Sequence, residues 1–179
     1  MRLVAFLRAI NVGGHVVTME ELRRQFSRLG FENIETFIAS GNVIFNARSA
    51  RGPALEKKIE TRLEQALGYE VKTFVRTEAE VAAIARHEPF SPAQLKTALS
   101  LNVGFLSTPL GAAGRKALMT LESDLDDFHL HKREVYWLSR VRQGDSKMSN
   151  VVFERTVGTR VTFRGVKTVA KLVAKYAFA

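Results

Sequence analysis

Apolar and polar positions along this chain follow two periods, alternate positions in some stretches and every third or fourth position in others. A compact apolar run from Leu3 to Ala9 predicts a central strand. Thr18 to Glu21 predicts the start of a helix, because the Thr18 hydroxyl and the Glu21 carboxylate can each accept from the other's backbone amide. The first half thus predicts strand, helix, strand, strand, helix and strand, over residues 3–9, 19–29, 34–39, 43–45, 53–67 and 71–76.

The second half repeats this order with little identity of residues, over 100–106, 109–121, 125–131, 134–140, 147–155 and 158–164. Thr168 is predicted to cap a C-terminal helix. Each half has the βαββαβ order of a ferredoxin-like unit. The sequence therefore predicts an α+β fold, a tandem duplication of this unit with a helical linker and a C-terminal helix. The predicted domains cover residues 1–76, 77–97 (the linker) and 98–179.

The composition narrows the class of protein. No cysteine is present, which excludes disulfide scaffolds, thiolate zinc sites, iron–sulfur clusters and cysteine nucleophiles. No apolar run reaches the roughly 18 residues that span a bilayer. The first apolar run carries Arg2 and Arg8 and lacks a signal-peptide cleavage site. We therefore expect a soluble, cytoplasmic protein with no membrane partner.

Positive charge is concentrated near the end of the chain. Lys and Arg number 27 against 18 Asp and Glu, a formal net charge of +9. The last 48 residues, from Lys132 onward, hold 11 basic and 3 acidic residues, a net charge of +8. Such an imbalance favours an anionic partner, either nucleic acid or a small anionic ligand, and it is also typical of an Arg-rich solvated surface.

Six segments carry a distinctive pattern: Arg8 to Gly14, Thr36 to Phe45, Val135 to Trp137, Ser146 to Ser149, Thr162 to Arg164 and Thr168 to Leu172. Together they resemble the bacterial family labelled domain of unknown function 1697. Members usually have Asn-Trp where this chain has Gly165-Val166, and are often basic where it has His15-Val16-Val17. The resemblance implies two ferredoxin-like units. It implies no catalytic residues, because no activity is established for the family.

Polar residues of the two longest segments lie in connections between predicted elements. Paired glycines let the backbone approach a ligand closely, and a guanidinium at a strand end can present two parallel donors to a carboxylate or phosphate. One hypothesis is an enzyme or sensor for a small anionic metabolite. Its predicted ligand-binding residues line one polar depression: Arg8, Asn11, Gly13, Gly14, Ser40 and Asn42. The alternative is that both connections serve only as tight turns.

A second candidate site lies at the start of the predicted C-terminal helix, where the helix dipole favours an anion. The predicted anion-binding residues are Arg164, Lys167, Thr168 and Lys171. They support a different hypothesis from the enzyme or sensor. In this hypothesis the chain is a binding module that recognises nucleic acid or another anionic ligand through a basic C-terminal half. Open sheet edges can pair between chains, so the chain is expected to be a monomer or a homodimer.

One row of carboxylate and imidazole side chains could bind a divalent metal. Asp127, His129 and His131 share one face of a predicted strand, since alternate residues point the same way. Such a row is more typical of the solvent-facing side of an antiparallel strand than of a metal site. Neither the spacing of a calcium loop nor a nucleophile motif is present. We therefore predict no metal and no cofactor.

Overall fold

The structure is a computed structural model that describes residues 1–48 and 52–179. The chain divides into two units, Met1–Ala82 with Ala177–Ala179, and Ala83–Tyr176. We call them the first unit and the second unit. The domain boundaries predicted after residues 76 and 97 remain predictions. No helix in the described ranges is long and apolar enough to cross a bilayer.

The first unit is built on a four-stranded antiparallel sheet. Its elements are β1 (Arg2–Leu7), α1 (Met19–Arg28), β2 (Glu32–Thr36), β3 (Asn42–Asn46), α2 (Gly52–Leu67) and β4 (Thr73–Thr77). The strand order is β2-β3-β1-β4, so β1 lies between β3 and β4. Helix α3 (Glu78–Arg86) follows and continues into the second unit.

The second unit repeats this arrangement. Its elements are α4 (Pro92–Thr97), β5 (Ser100–Phe105), α5 (Ala112–Met119), β6 (Asp126–His131), β7 (Glu134–Ser139), α6 (Asn150–Val157), β8 (Thr162–Gly165) and α7 (Val166–Tyr176). The order is β6-β7-β5-β8, again antiparallel throughout. The predicted fold class is confirmed: an α+β protein with two four-stranded antiparallel sheets, each in a βαββαβ-like unit, and a C-terminal helix.

Helix α1 shows how the local sequence determines an element. Its three- to four-residue spacing buries Leu22 and Phe26, which pack in the core of the first unit. The Thr18 hydroxyl accepts from the Glu21 amide at 3.1 Å, as predicted. The predicted return bond, in which the Thr18 amide would donate to the Glu21 carboxylate, is not formed. The carboxylate instead accepts from Arg24 and Gln25, which lie one turn further along the helix.

The start of the C-terminal helix also differs from the prediction. Helix α7 begins at Val166, directly after β8, and no loop separates the two elements. Thr168 is therefore the third residue of the helix and does not cap it. A hydroxyl can cap only where the chain enters the helix from an extended conformation, and that transition occurs before Thr168.

Strand β2 lies at one edge of the first sheet and is irregular. Its pairing with β3 shifts in register between Glu32 and Glu35, and Asn33 between them has a φ of 49°. Both glutamates are exposed. The strand ends at Thr36, earlier than predicted, and Ile38 beyond it also has a positive φ, 52°.

Candidate functional site

The two connections predicted to form one site lie at the same end of the first sheet. The Leu7 amide donates to the Gly41 carbonyl at 2.8 Å, and Asn11 Nδ2 donates to the Ala39 carbonyl at 3.0 Å. Gly41 has a φ of +80°, and a Cβ there would lie 3.0 Å from the Cβ of Ile10, so this position requires glycine. The loop after β1 and the turn before β3 are therefore in direct contact.

The side-chain amides of Asn11 and Asn42 hold these connections together. Asn11 Oδ1 accepts from the Val17 amide at 2.7 Å. Asn42 is buried, and its Nδ2 donates to the Phe37 carbonyl at 2.9 Å and to Ser40 Oγ at 3.0 Å. Because these polar atoms bond the chain itself, Asn11 and Asn42 position the connections. A ligand bound at this site would therefore be contacted by other groups nearby and not by these two amides.

Gly13, Gly14 and Arg8 are those neighbouring groups. The two glycines are exposed, with φ values of +60° and +86°, and a Cβ on either would meet open space. Within the described residues, neither glycine amide donates a hydrogen bond. Arg8 is half-buried, and its backbone amide donates to the Lys72 carbonyl at 2.8 Å. The loop thus offers two exposed glycines, and Arg8 precedes them in the chain.

The predicted anion-binding residues at the C-terminal end include one buried cation and two exposed ones. Arg164 of β8 is buried, and its Nη1 donates to Thr162 Oγ1 at 2.8 Å and to the Phe163 carbonyl at 2.9 Å. Burial lowers the pKa of Arg164 to about 10, so the guanidinium remains charged at neutral pH but is withdrawn from solvent. Lys167 and Lys171 are exposed, and Thr168 between them is half-buried.

Exposed lysines form one face of α7. Lys167, Lys171 and Lys175 recur every four residues and therefore lie along one side of the helix. Lys175 Nζ lies 5.1 Å from the centroid of the Tyr176 ring. The helix contains no Asp or Glu. We call these three residues the lysine face. The helix buries its apolar residues on the other side: Val169, Leu172 and Tyr176.

In the structure, Asp127 has different partners from the two histidines of the predicted row, His129 and His131. Asp127 accepts from Arg140 Nη2 at 2.6 Å and from Gln94 at 3.1 Å, and the Arg140 bond above all lowers the pKa of Asp127. The two histidines lie beside His87. The sequence does not predict this association, since no periodicity connects His87 with the distant strand β6. In the described part of the chain, no group of ligating side chains could hold a metal ion. The absence of a metal remains a prediction.

A cavity of about 540 Å³ opens in the second unit and does not suit a polyanion. It is lined by part of a segment that carries the family resemblance, Ser146 to Met148. Its charged lining consists of one ammonium, Lys147, and four carboxylates: Glu122, Asp124, Asp126 and Asp145. The net charge of these lining residues is negative, whereas the net charge of the whole chain is positive. This lining therefore repels an anionic ligand.

Comparison with known proteins supports the family resemblance and the fold. The family described as "Protein of unknown function (DUF1697)" matches residues 1–136, so the segments after residue 136 lie outside this match. The solved structure of "conserved bacterial protein SP0830 from Streptococcus pneumoniae" is similar, with a TM-score of 0.73 and 21% sequence identity. The alignment covers 98% of this chain and 98% of that chain, and at this identity it shows the fold alone. No curated protein matches the sequence.

Proposed function

We propose that this chain, which belongs to the DUF1697 family of proteins of unknown function, binds nucleic acid through the lysine face of α7. One observation carries the proposal: three exposed lysines repeat every four residues on a helix that has no carboxylate. Ammonium groups on such a face cannot pair with acidic side chains of their own helix. No carboxylate of α7 therefore offsets the positive charge of this face, and that charge attracts the phosphates of a partner.

The surrounding charge supports the same partner. The last 48 residues carry a net charge of +8, and α7 lies within them. Lys167 to Lys175 spans roughly 12 Å of helix axis at 1.5 Å per residue. Duplex DNA carries roughly one negative charge per 1.7 Å of its axis, so each of the three ammonium groups can reach a different phosphate.

The chemistry of the lysine face favours recognition of the phosphate backbone over recognition of base sequence. A lysine acts as a point charge and lacks the planar fork that reads a base edge in two contacts. The strand aromatics Phe105, Tyr136 and Trp137 are buried, so they do not offer a surface on which bases could stack. We therefore infer binding with little sequence preference.

The test is a salt titration of binding to a fluorescent duplex of about 20 base pairs, measured by anisotropy. With three phosphate contacts, the logarithm of the association constant should fall against the logarithm of the salt concentration with a slope of roughly −2.7. We expect the variant Lys167→Ala/Lys171→Ala/Lys175→Ala to lose most of this slope and at least about tenfold in affinity at low salt.

A matched control removes the same charge elsewhere. Lys57, Lys96 and Lys116 are exposed on α2, α4 and α5. The variant Lys57→Ala/Lys96→Ala/Lys116→Ala should keep the slope of the original chain. Equal losses in the two triple variants, or binding that does not change with salt, would show that α7 is not the binding surface.

Contact between the two connections of the first unit supports a second proposal, a site for a small anionic metabolite in an enzyme or sensor. Asn11 and Asn42 fix the connections, and the exposed amides of Gly13 and Gly14 with Arg8 would contact the anion. Inorganic phosphate or pyrophosphate should then raise the melting temperature of the chain. Arg8→Ala should remove this rise, and Arg28→Ala, an exposed control on α1, should retain it.

A further inference from the structure

Three histidines of the second unit, His87, His129 and His131, lie together, and we call them the histidine cluster. The His87 ring stacks on the His131 ring with centroids 4.2 Å apart, and its centroid is 5.6 Å from that of His129. His87 follows α3, whereas the other two histidines belong to β6. Neither proposed binding site uses these residues.

Side chains of β7 complete the surroundings of His87. The Tyr136 ring centroid is 5.0 Å from that of His87, and the Tyr136 hydroxyl donates a buried hydrogen bond of 3.1 Å to the Ile84 carbonyl. The segment from Ile84 to His87 is thus attached to β7 through Tyr136 and to β6 through stacked imidazoles.

One acidic group and several basic groups act on His87. Glu134 of β7 is the acidic group that acts on it, and it is buried. Lys132 in the turn between β6 and β7 opposes that effect, as do His129 and His131 when they are protonated. Arg86 and Glu88, the neighbours of His87 in sequence, are exposed.

Protonation of His87 is disfavoured in this arrangement. Burial, and then the positive charges of His131 and His129, lower the pKa of His87 from its ordinary value of 6.5. His87 Nε2 is buried and has no hydrogen-bond partner within the described residues. A proton added there would have no acceptor, and a buried donor without an acceptor is costly.

We propose that the histidine cluster is a pH-sensitive contact that holds residues 84–87 on the sheet when its imidazoles are neutral and releases them when the imidazoles are protonated. Neutral rings stack at the observed distances, whereas two or three positive rings at these distances repel. Because the attached state binds protons less well than the released state, attachment is complete above about pH 6.5 and weakens as the pH falls below it.

Amide hydrogen exchange at pH 7.5 and pH 5.5, corrected for intrinsic exchange, tests this proposal. The neutral fraction of an ordinary histidine falls about tenfold between these values, so residues 84–88 should lose up to about tenfold in protection. Helix α1 should not show this loss. Equal losses of protection in residues 84–88 and in α1 would indicate general acid destabilisation and overturn the proposal.

Variants separate the cluster from the remaining titratable groups. His129→Gln/His131→Gln should reduce the pH effect on residues 84–88, because Gln stays neutral, while the part that comes from the burial of His87 should remain. His15→Gln, which changes the histidine outside the cluster, should leave the effect intact. In NMR titrations, His87 should have a pKa below 6.5 that rises in the double Gln variant. A His87 pKa at or above 6.5, or an unchanged pH effect in the double Gln variant, would contradict the proposal.

Discussion

The two sheets have the same strand order but place different residues at most matched positions. In the first sheet Val4 pairs with Arg76, and in the second sheet Val103 pairs with Arg164, so two arginines take corresponding places. Both arginines are buried. The repeat therefore resides in strand pairing and in a few buried positions, with little identity of residues elsewhere.

One pair of matched core positions shows how the sheets fill the same space differently. Ala5 pairs with Val75 in the first sheet, and Gly104 pairs with Phe163 in the second. A Cβ on Gly104 would lie 2.6 Å from Phe163 Cε1. The larger ring on one strand therefore requires glycine on its neighbour, because protein interiors have no room for both.

The largest effect is expected at Trp137, which takes in β7 the place that Phe45 takes in β3. Trp137→Ala and Phe45→Ala should each lower the free energy of unfolding by about 3–5 kcal/mol, because both remove a buried ring. Trp137→Phe should cost only about 1 kcal/mol, for the bond from Nε1 to Asp126. Urea unfolding measures all three. Equal costs for the two Trp137 variants would show that this bond, and not ring volume, dominates at the matched position.

A smaller effect tests the exchange of volume at Gly104. Gly104→Ala should lower the free energy of unfolding by about 1–3 kcal/mol through overpacking. Adding Phe163→Val gives the second sheet the pair found in the first, and the double variant should be more stable than the sum of the single effects by at least about 0.5 kcal/mol. Additive effects in denaturant unfolding would show that the two sheets do not share this packing rule.

Each unit contains a partly buried ion pair. Lys72 and Glu60 pair at 2.7 Å in the first unit, and Arg140 and Asp127 pair at 2.6 Å in the second. The hydrogen bond from Arg140 lowers the pKa of Asp127. The folded-state pKa of Asp127 lies below the unfolded value of about 3.9, so its carboxylate stabilises the fold above that pH and loses this effect as the pH falls through the folded-state pKa. Asp127→Asn should cost about 0.5–1 kcal/mol at pH 7, and this cost should decline as the pH falls below about 3.9, as measured by urea unfolding. A cost independent of pH would exclude the ion pair as its cause.

The smallest effect concerns the starts of α1 and α5. Thr18 caps α1 with its hydroxyl, whereas Gly111 precedes α5 without a side-chain bond. Gly111 has φ −70° and ψ 178°, which serine adopts without strain. Gly111→Ser should therefore raise the free energy of unfolding by about 0.3 kcal/mol. A lower melting temperature in calorimetry would show that the two helix starts are not equivalent.

The strands and helices were predictable where burial shows in the sequence, either as a continuous apolar run or as a regular spacing of apolar residues. The apolar runs of β1 and β5 and the three- to four-residue spacing of α1 report directly on which side chains are buried. The start of α7 was not predictable in this way. A hydroxyl at Thr168 looks like a cap in the sequence, but the strand before it passes directly into the helix.

The candidate sites depend on contacts between distant parts of the sequence. The contact between Asn11 and Ala39 follows from the adjacency of β1 and β3, and strand order is not encoded in the periodicity of either strand. The burial of Arg164 likewise depends on what surrounds β8, whereas its neighbours Lys167 and Lys171 are exposed as their helical spacing indicates. The association of His87 with β6 left no pattern in the sequence.

The irregularity of β2 has a consequence for association between chains. An exposed edge strand with regular pairing groups can act as a template for a strand from another molecule and so begin aggregation. Here the register shift between Glu32 and Glu35 and the positive φ of Asn33 interrupt that row of groups. A strand added at this edge would also bring its backbone against two exposed carboxylates. The first sheet is therefore protected against growth by strand addition across β2, and any strand exchange between copies would have to begin elsewhere.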